Sequence, residues 1–384
     1  MADNVLLNGN TVGARERNYG IDLLRVISMF MVVLLHVNLC VGLLDYYEAN
    51  TLGYIFVWGI EAFAFCSVNV YAIISGYVLF NSRFKLKRLL QLYLEVLFFN
   101  LVSHVLMATI NHQFYGFKDF IKGFIFIMPL KSRSAWYFNA YFLLFLIYPL
   151  LNLLTINMNK RQFIFLFIIL GVLSCILLPY IYHFDFAEGY SFIWIVSLYF
   201  VGVYFKKYGF FKLSAFKNCI CYVGVTMLIL LIRIINNILP PLNVVTLSGY
   251  RMNLKYEPYL YTSIFVILQS VFLFNGFAKI KVKNNVFQKI LLTLSPLAFG
   301  IYVVHLTPYA RMFFNNFLFI KELSVWLLIP LIFACAVMVF SICALIVWVK
   351  QLLFKYTKID DLTFKVGDFI QNKITAFADK KAEE

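Results

Sequence analysis

The chain has 384 residues, 62% of them hydrophobic and 13% charged, and a soluble domain of that size has no interior large enough for so much apolar surface. Its formal charge of +15 does not point to nucleic acid, because Lys and Arg gather in alternate short loops, the distribution of a chain that crosses a membrane repeatedly. Seven cysteines (Cys40, Cys66, Cys175, Cys219, Cys221, Cys335, Cys343) lie in or beside apolar runs without metal-type spacing. They read as buried thiols, and neither a disulfide framework nor a metal site is expected.

Residues 1–18 are polar and form a short N-terminal segment. No cleavable leader is expected, since the first apolar run is too long and no small-residue cleavage site follows it. About ten apolar segments of roughly 18–25 residues come next, each able to cross about 30 Å of hydrocarbon. They fall near 20–42, 53–80, 89–110, 136–155, 162–182, 191–206, 218–239, 258–279, 290–310 and 324–349. The expected fold class is all-α, a polytopic integral membrane helical bundle of about ten transmembrane helices, because a helix satisfies its own backbone in lipid.

One set of loops carries Arg15 and Arg17, then Arg83, Lys85, Lys87 and Arg88, then Lys160 and Arg161, then Lys206, Lys207, Lys212 and Lys217, then Lys279, Lys281, Lys283 and Lys289. The opposite set carries Asp45 and Glu48, Asp185 and Glu188, a mixed Arg251, Lys255 and Glu257, and Lys321 with Glu322. The positive-inside rule therefore places both termini in the cytoplasm. The implied location is a multi-pass protein of a bacterial-type inner (cytoplasmic) membrane. Residues 19–350 form the membrane domain, and 351–384 a cytoplasmic C-terminal tail with an amphipathic start. The segment 111–135 departs from the pattern, being on the outer side yet carrying Lys118, Lys122, Lys131 and Arg133. Its apolar stretch 120–130 is too short to span, so it reads as an interfacial or re-entrant helix, or as the lining of an outward pocket. Neither an internal repeat nor an appended soluble domain is expected.

Ionisable groups at membrane depth are costly and point to function. The first span holds Asp22, Arg25 and His36. At 100° per residue, Arg25 and His36 return to within about 20° of one direction, with Asp22 about 40° away, so the three share one stripe. Arg25 and His36 are about 16 Å apart along the axis, Arg25 near the cytoplasmic end and His36 toward the outer one. A donor with anionic phosphates and a long thin arm, the shape of acyl-CoA, would dock its phosphates at Arg25 and reach His36 with its reactive end. Anchoring of Asp22 and Arg25 at the headgroups, with His36 in an interhelical hydrogen bond, accounts for the same residues without function.

Glu61 lies at a depth similar to His36, so a Glu61–His36 pair that orients the imidazole is one expectation, and a Glu satisfied elsewhere is the other. Tyr302 and His305 are i,i+3 neighbours, with His305 close to the level of His36. His104 follows Asn100 by one turn, whereas His112 and His183 fall in outer loops. Arg83, Lys85, Lys87 and Arg88 suffice as an inner stop signal, and they also suit the phosphates of CoA. They follow Ser75-Gly-Tyr77, where a small residue permits close helix contact.

Four islands of residues carry a resemblance. They are Tyr19-Gly-Ile-Asp-Leu-Leu-Arg25 running on to His36; Val68-Asn-Val-Tyr-Ala-Ile-Ile-Ser-Gly-Tyr-Val-Leu79 with the basic loop after it; Trp136-Tyr-Phe-Asn-Ala-Tyr141 continuing to Tyr148-Pro-Leu-Leu-Asn152; and Phe299-Gly-Ile-Tyr-Val-Val-His305. In order and spacing they resemble the membrane acyltransferase-3 family, which O-acylates cell-surface carbohydrates. The resemblance implies His36 as the leading catalytic group, with Arg25 as its cytoplasmic-side partner. It implies site-shaping roles for Asn69, Ser75, Tyr77, Trp136, Tyr137, Tyr141, Tyr302 and His305, many of which also fit as packing residues. Where some members carry Arg-x-x-Arg, this chain has Lys85-Leu-Lys-Arg88, which weakens the assignment of individual cations. Glu61 is outside the family pattern and rests on depth alone. The esterase-like outer domain of some relatives is not expected here.

The activity implied is transfer of an acyl group, most simply acetyl, from cytoplasmic acetyl-CoA or another acyl-CoA to a sugar hydroxyl of a surface or lipid-linked glycan. His36 serves either as general base or as transient acyl acceptor, with Trp136 and Tyr137 placed to stack on the sugar. Two rivals share the composition. A lipid-linked glycan carrier would show paired repeats and broken helices, and a membrane glycan polymerase a large outer loop.

Overall fold

A computed structural model of the protein describes residues 17–110, 136–174, 187–240, 242–245, 251–254 and 256–383. The segment 111–135 and the loop histidines His112 and His183 lie outside the described residues. Helix α1 (Tyr19–Val41) starts where Asn18 accepts from the amides of Gly20 and Ile21, and it stops at Gly42 with φ +70°, a left-handed position that suits glycine. There follow α2 (Leu52–Ala64), α3 (Ser67–Leu79), α4 (Leu86–Ile110), α5 (Trp136–Ile156), α6 (Lys160–Val172), α7 (Phe192–Tyr208) and α8 (Ala215–Ile238). A short antiparallel hairpin, β1 (Leu242–Val245) with β2 (Arg251–Leu254), joins α8 to α9 (Ile264–Phe277). The chain continues as α10 (Asn285–Leu294), α11 (Ala298–His305), α12 (Pro308–Phe314), α13 (Leu328–Tyr356) and α14 (Ile359–Glu383).

Among the described residues, seven helical stretches are long and apolar enough to cross a membrane: Tyr19–Val41, Leu52–Leu79, Leu86–Ile110, Trp136–Ile156, Ala215–Ile238, Asn285–His305 and Val325–Tyr356. The protein is thus a helical polytopic membrane bundle. The expected spans 162–182, 191–206 and 258–279 carry described helices of 13, 17 and 14 residues, shorter than the about 20 residues a straight crossing needs. Residues 175–182 of the first of these lie outside the described residues.

Two expected spans are broken. The stretch 290–310 divides at Pro296, inside a 3-10 turn, and at Pro308, the first residue of α12, because proline has no N–H for the helix ladder. The stretch 53–80 divides between α2 and α3 with no proline at the joint. Carbonyls there are served from neighbouring helices: Tyr222 Oη donates to Phe63 O, and Gln269 Nε2 to Ala62 O at 2.9 Å. Such partners make a break tolerable at membrane depth.

Helix α1 runs through the middle of the bundle, and its Leu24, Val33, Leu34 and Val37 are fully buried. Helix α3 crosses α7 so closely that a Cβ on Gly76 would strike Tyr199 O, and one on Gly202 would strike Ile73 O, a small-residue crossing. The outer rim of α5 and α8 exposes Leu150, Leu153, Leu154, Met227 and Ile238, as lipid-facing helices do.

The C-terminal stretch is helical, and the thiols differ in part from expectation. Helix α13 continues through 351 to Tyr356. A left-handed Lys358 then turns the chain into the 25-residue α14. Helix α14 is docked on the start of α4. Gln371 Oε1 accepts from Leu86 N at 2.9 Å, its Nε2 donates to Phe84 O at 3.2 Å, and Lys87 pairs with Asp368 at 3.0 Å. Of the described cysteines, Cys66, Cys335 and Cys343 are buried as expected. Cys219 is exposed, and Cys40 and Cys221 are half-buried.

Candidate active site

A cavity of about 740 Å³ opens along α1, walled by α1, α2, α3, α4, α5, the Ser295 turn, α11 and α12. Its size is that of a small-molecule site. Periodicity explains the walls: α3 contributes Val68, Tyr71, Ile74, Ser75, Val78 and Leu79, the i, i+3, i+4, i+7 pattern of one helix face.

At one end α1 contributes Arg25. Its Nη1 donates to Ser295 Oγ at 3.0 Å and lies 3.4 Å from Asp22 Oδ1. Asp22, only 5% exposed, also accepts from Arg17 Nε at 2.6 Å and from Ser295 Oγ at 3.2 Å. A carboxylate so surrounded is a clamp that holds Arg25, not a ligand group. Tyr71 Oη donates to Arg25 O at 2.6 Å, and Ser75 Oγ donates to Tyr71 O at 2.8 Å, which fixes the facing wall. Of the four basic-loop residues, Arg88 lines the cavity; Arg83, Lys85 and Lys87 are not among its described lining residues. Lys87 is turned to Asp368 and lies over the Phe364 ring at 5.3 Å.

At the other end stands His36, half-buried, with its Nδ1 2.8 Å from Val32 O. A carbonyl oxygen only accepts, so Nδ1 carries the proton of the neutral ring and Nε2 keeps the basic lone pair. Behind it His305, 1% exposed, makes the same bond from Nδ1 to Ile301 O at 2.8 Å. The two imidazoles meet edge to face, with centroids 4.8 Å apart and planes at 79°. Tyr302 lies over the cavity 6.0 Å from the His305 ring and 5.8 Å from that of Tyr137, and Tyr137 stacks on Tyr141 at 6.2 Å.

Glu61 lines the cavity but is not bonded to His36. Its Oε2 accepts from Asn38 Nδ2 at 3.2 Å, and Asn38 is fully buried. The expected Glu61–His36 pair is therefore replaced: a helix carbonyl orients the imidazole, and an amide holds the carboxylate. Beyond Glu61 the wall is aromatic. Trp136, Tyr190 and Tyr261 form a triangle with centroid separations of 4.8, 6.0 and 4.9 Å, and Phe65 stacks on Tyr261 at 4.8 Å.

A model of the acyltransferase domain matches residues 18–348. The chain belongs to the acyltransferase-3 family. It is a membrane acyltransferase, and that sets aside the carrier and polymerase readings. Neither a curated protein nor a solved structure matches the chain.

Within this acyltransferase, the cavity gathers Arg25, His36, Glu61, Ser75, Arg88, Trp136, Tyr137, Tyr141 and Tyr302. Other residues expected at the site are placed elsewhere. Asn69 is fully buried between Tyr261 O, to which it donates at 2.8 Å, and Trp194 Nε1, from which it accepts at 3.0 Å, so it positions Tyr261 from behind. Tyr77 faces away, stacked near Phe210 at 5.7 Å with Lys206 Nζ 4.3 Å above its ring. Both sit about 200° around α3 from a lining residue two positions away, Tyr71 or Ser75. Sequence reasoning missed Phe65, Tyr71, Tyr190, Tyr261, Ser295 and Arg311, all of which line the cavity. Arg311 alone carried a signal, a cation on the side where the charge rule expects few.

Proposed function

We propose that the protein is an O-acyltransferase that moves an acyl group, most simply acetyl, from cytoplasmic acyl-CoA to a sugar hydroxyl presented on the outer face of a bacterial-type inner membrane. One observation carries this reading: a single cavity is lined by Arg25 and Arg88 at one end and by His36 at the other, with about 16 Å of helix between Arg25 and His36. The guanidinium groups hold the phosphates of CoA. The thin arm lies along the cavity, and the thioester reaches His36.

His36 Nε2 takes the proton of the acceptor hydroxyl while the oxygen attacks the thioester carbonyl carbon. The C–S bond breaks, the ester forms, and the thiolate leaves with the proton that His36 had taken. Transfer through an acyl-imidazole at Nε2 is the other route open to the same ring. The aromatic groups of Trp136, Tyr190 and Tyr261 offer faces for the sugar, a wider platform than Trp136 and Tyr137 alone.

The test is His36→Ala at normal abundance, scored by acyl groups on surface glycan and by transfer from labelled acetyl-CoA with purified protein in nanodiscs. Loss of both is expected. Acylation that persists at the wild-type level refutes the assignment.

A further inference from the structure

Arg311 is a cavity cation that donor binding leaves unused. It lies on α12, six residues past His305, is exposed, and lines the cavity with Leu35, His36, Leu39 and Leu306. Among the described residues its side chain has no hydrogen-bond or ion-pair partner, although its backbone N–H donates to Thr307 O. Several other described cations are engaged by the protein itself. Arg233 donates to Glu257 Oε2 and to Tyr54 Oη, both at 2.9 Å, and lies 3.9 Å over the Trp58 ring. Lys321 sits 5.2 Å over the Tyr46 ring, and Arg25 is clamped by Asp22 and Ser295. Charge sorting across the membrane accounts for cations at the Arg25 end and asks for none beside His36. The one carboxylate among the described lining residues, Glu61, is already held by Asn38. An exposed arginine at the cavity wall, without an internal counter-charge, is open to an anion from outside.

We propose that Arg311 binds an anionic group of the acceptor, so that the hydroxyl offered to His36 belongs to a sugar bearing a carboxylate or a phosphate. This rests on the acyl-transfer reading above. A guanidinium fork matches either oxyanion bidentately. Because Arg311 is exposed, it acts in capture and selection of the acceptor, and its effect weakens with salt. A solvated cation contributes little to charge developing at the thioester carbonyl, which separates this role from transition-state stabilisation.

The test uses full-length protein in nanodiscs with labelled acetyl-CoA and three acceptors: glucose, glucuronate and glucose 1-phosphate. Wild-type protein is expected to favour one or both anionic sugars over glucose by about tenfold or more in kcat/KM. Preference for glucuronate identifies a carboxylate acceptor, and preference for glucose 1-phosphate a phosphate one. Arg311→Gln removes the preference through KM with kcat kept, and Arg311→Lys restores part of it. Equal use of all three by wild type, or an equal loss of kcat with every acceptor in Arg311→Gln, overturns the proposal. If wild type acylates none of them, the acyl-transfer reading is what fails, and binding then decides the role of Arg311. Protection of His36 from carbethoxylation by diethyl pyrocarbonate is read by mass spectrometry. Protection by an anionic sugar but not by glucose, lost in Arg311→Gln, supports the assignment. Protection that is equal for all three sugars, or absent, overturns it.

Discussion

The Asn38–Glu61 contact separates two accounts of how His36 is oriented, and a double-mutant cycle across it is decisive. Asn38 is fully buried and donates from Nδ2 to Glu61 Oε2 at 3.2 Å and to Val57 O at 3.3 Å. Glu61 is 7% exposed, and no other hydrogen bond to its carboxylate is present among the described residues. Asn38→Leu therefore strands a buried carboxyl, a loss of about 1.5–3 kcal/mol for a hydrogen bond to such a group. In a Glu61→Leu background the same substitution removes no such bond, and its cost falls by about 1–2 kcal/mol. Equilibrium unfolding of the four proteins in mixed micelles measures that coupling. Costs that add within about 0.5 kcal/mol refute the contact. The same proteins address the chemistry. Since the Val32 carbonyl orients His36, Glu61→Gln is expected to leave the pH midpoint of acyl transfer in place. A midpoint displaced by a full unit would restore the direct Glu61–His36 pair.

Three further expectations follow from the packing. Gly300→Ala puts a Cβ 2.8 Å from Glu95 Oε1 and against Val347, so it should cost about 1–3 kcal/mol in unfolding and lower kcat by shifting the helix of Tyr302 and His305. Gly171→Ala meets nothing within 4 Å and should be neutral or stabilising by up to about 1 kcal/mol. Gln269→Leu removes donors to Ala62 O at 2.9 Å and to Thr226 Oγ1 at 2.6 Å, and should cost about 1–3 kcal/mol in the same unfolding assay. In the basic loop, Arg88→Ala should raise KM for acyl-CoA about tenfold. Lys87→Ala, which breaks a partly exposed ion pair to Asp368 and a contact with the Phe364 ring, should change KM less than twofold and stability by less than about 1 kcal/mol. The reverse ranking would remove Arg88 from the phosphate site.

The helical character, the apolar stretches and the Arg25–His36 stripe were legible because each is a property of one segment: apolar length, or a phase of 100° per residue. Tyr302 and His305 were legible for the same reason. The opposite wall was not. Tyr190 and Tyr261 reach Trp136 only through tertiary contacts, and Asn69 was assigned to the site because a motif gives order along the chain but not the face of the helix. Tyr77, two residues from Ser75, points the other way for that reason. The joint between α2 and α3 was hidden as well, because it depends on Tyr222 and Gln269, about 160 and 205 residues along the chain, rather than on a local breaker.

The two histidines share a device that suits their solvent. In each, Nδ1 bonds the carbonyl four residues earlier, Val32 for His36 and Ile301 for His305. The helix that carries the ring therefore sets its tautomer. Aqueous enzymes often give this task to a carboxylate, which also stabilises the imidazolium as it forms. At membrane depth a carboxylate partner would bring a second charge to desolvate, and the pair would return that cost only with full hydrogen bonding. A backbone carbonyl orients the ring without adding charge. It leaves Glu61 to Asn38 and to the aromatic end of the cavity. Among the described residues, the single fixed charge lining the stretch beside His36 is Arg311. An anionic acceptor would neutralise it on arrival, so the hydroxyl would meet His36 in a site whose charges balance only when the right sugar is bound.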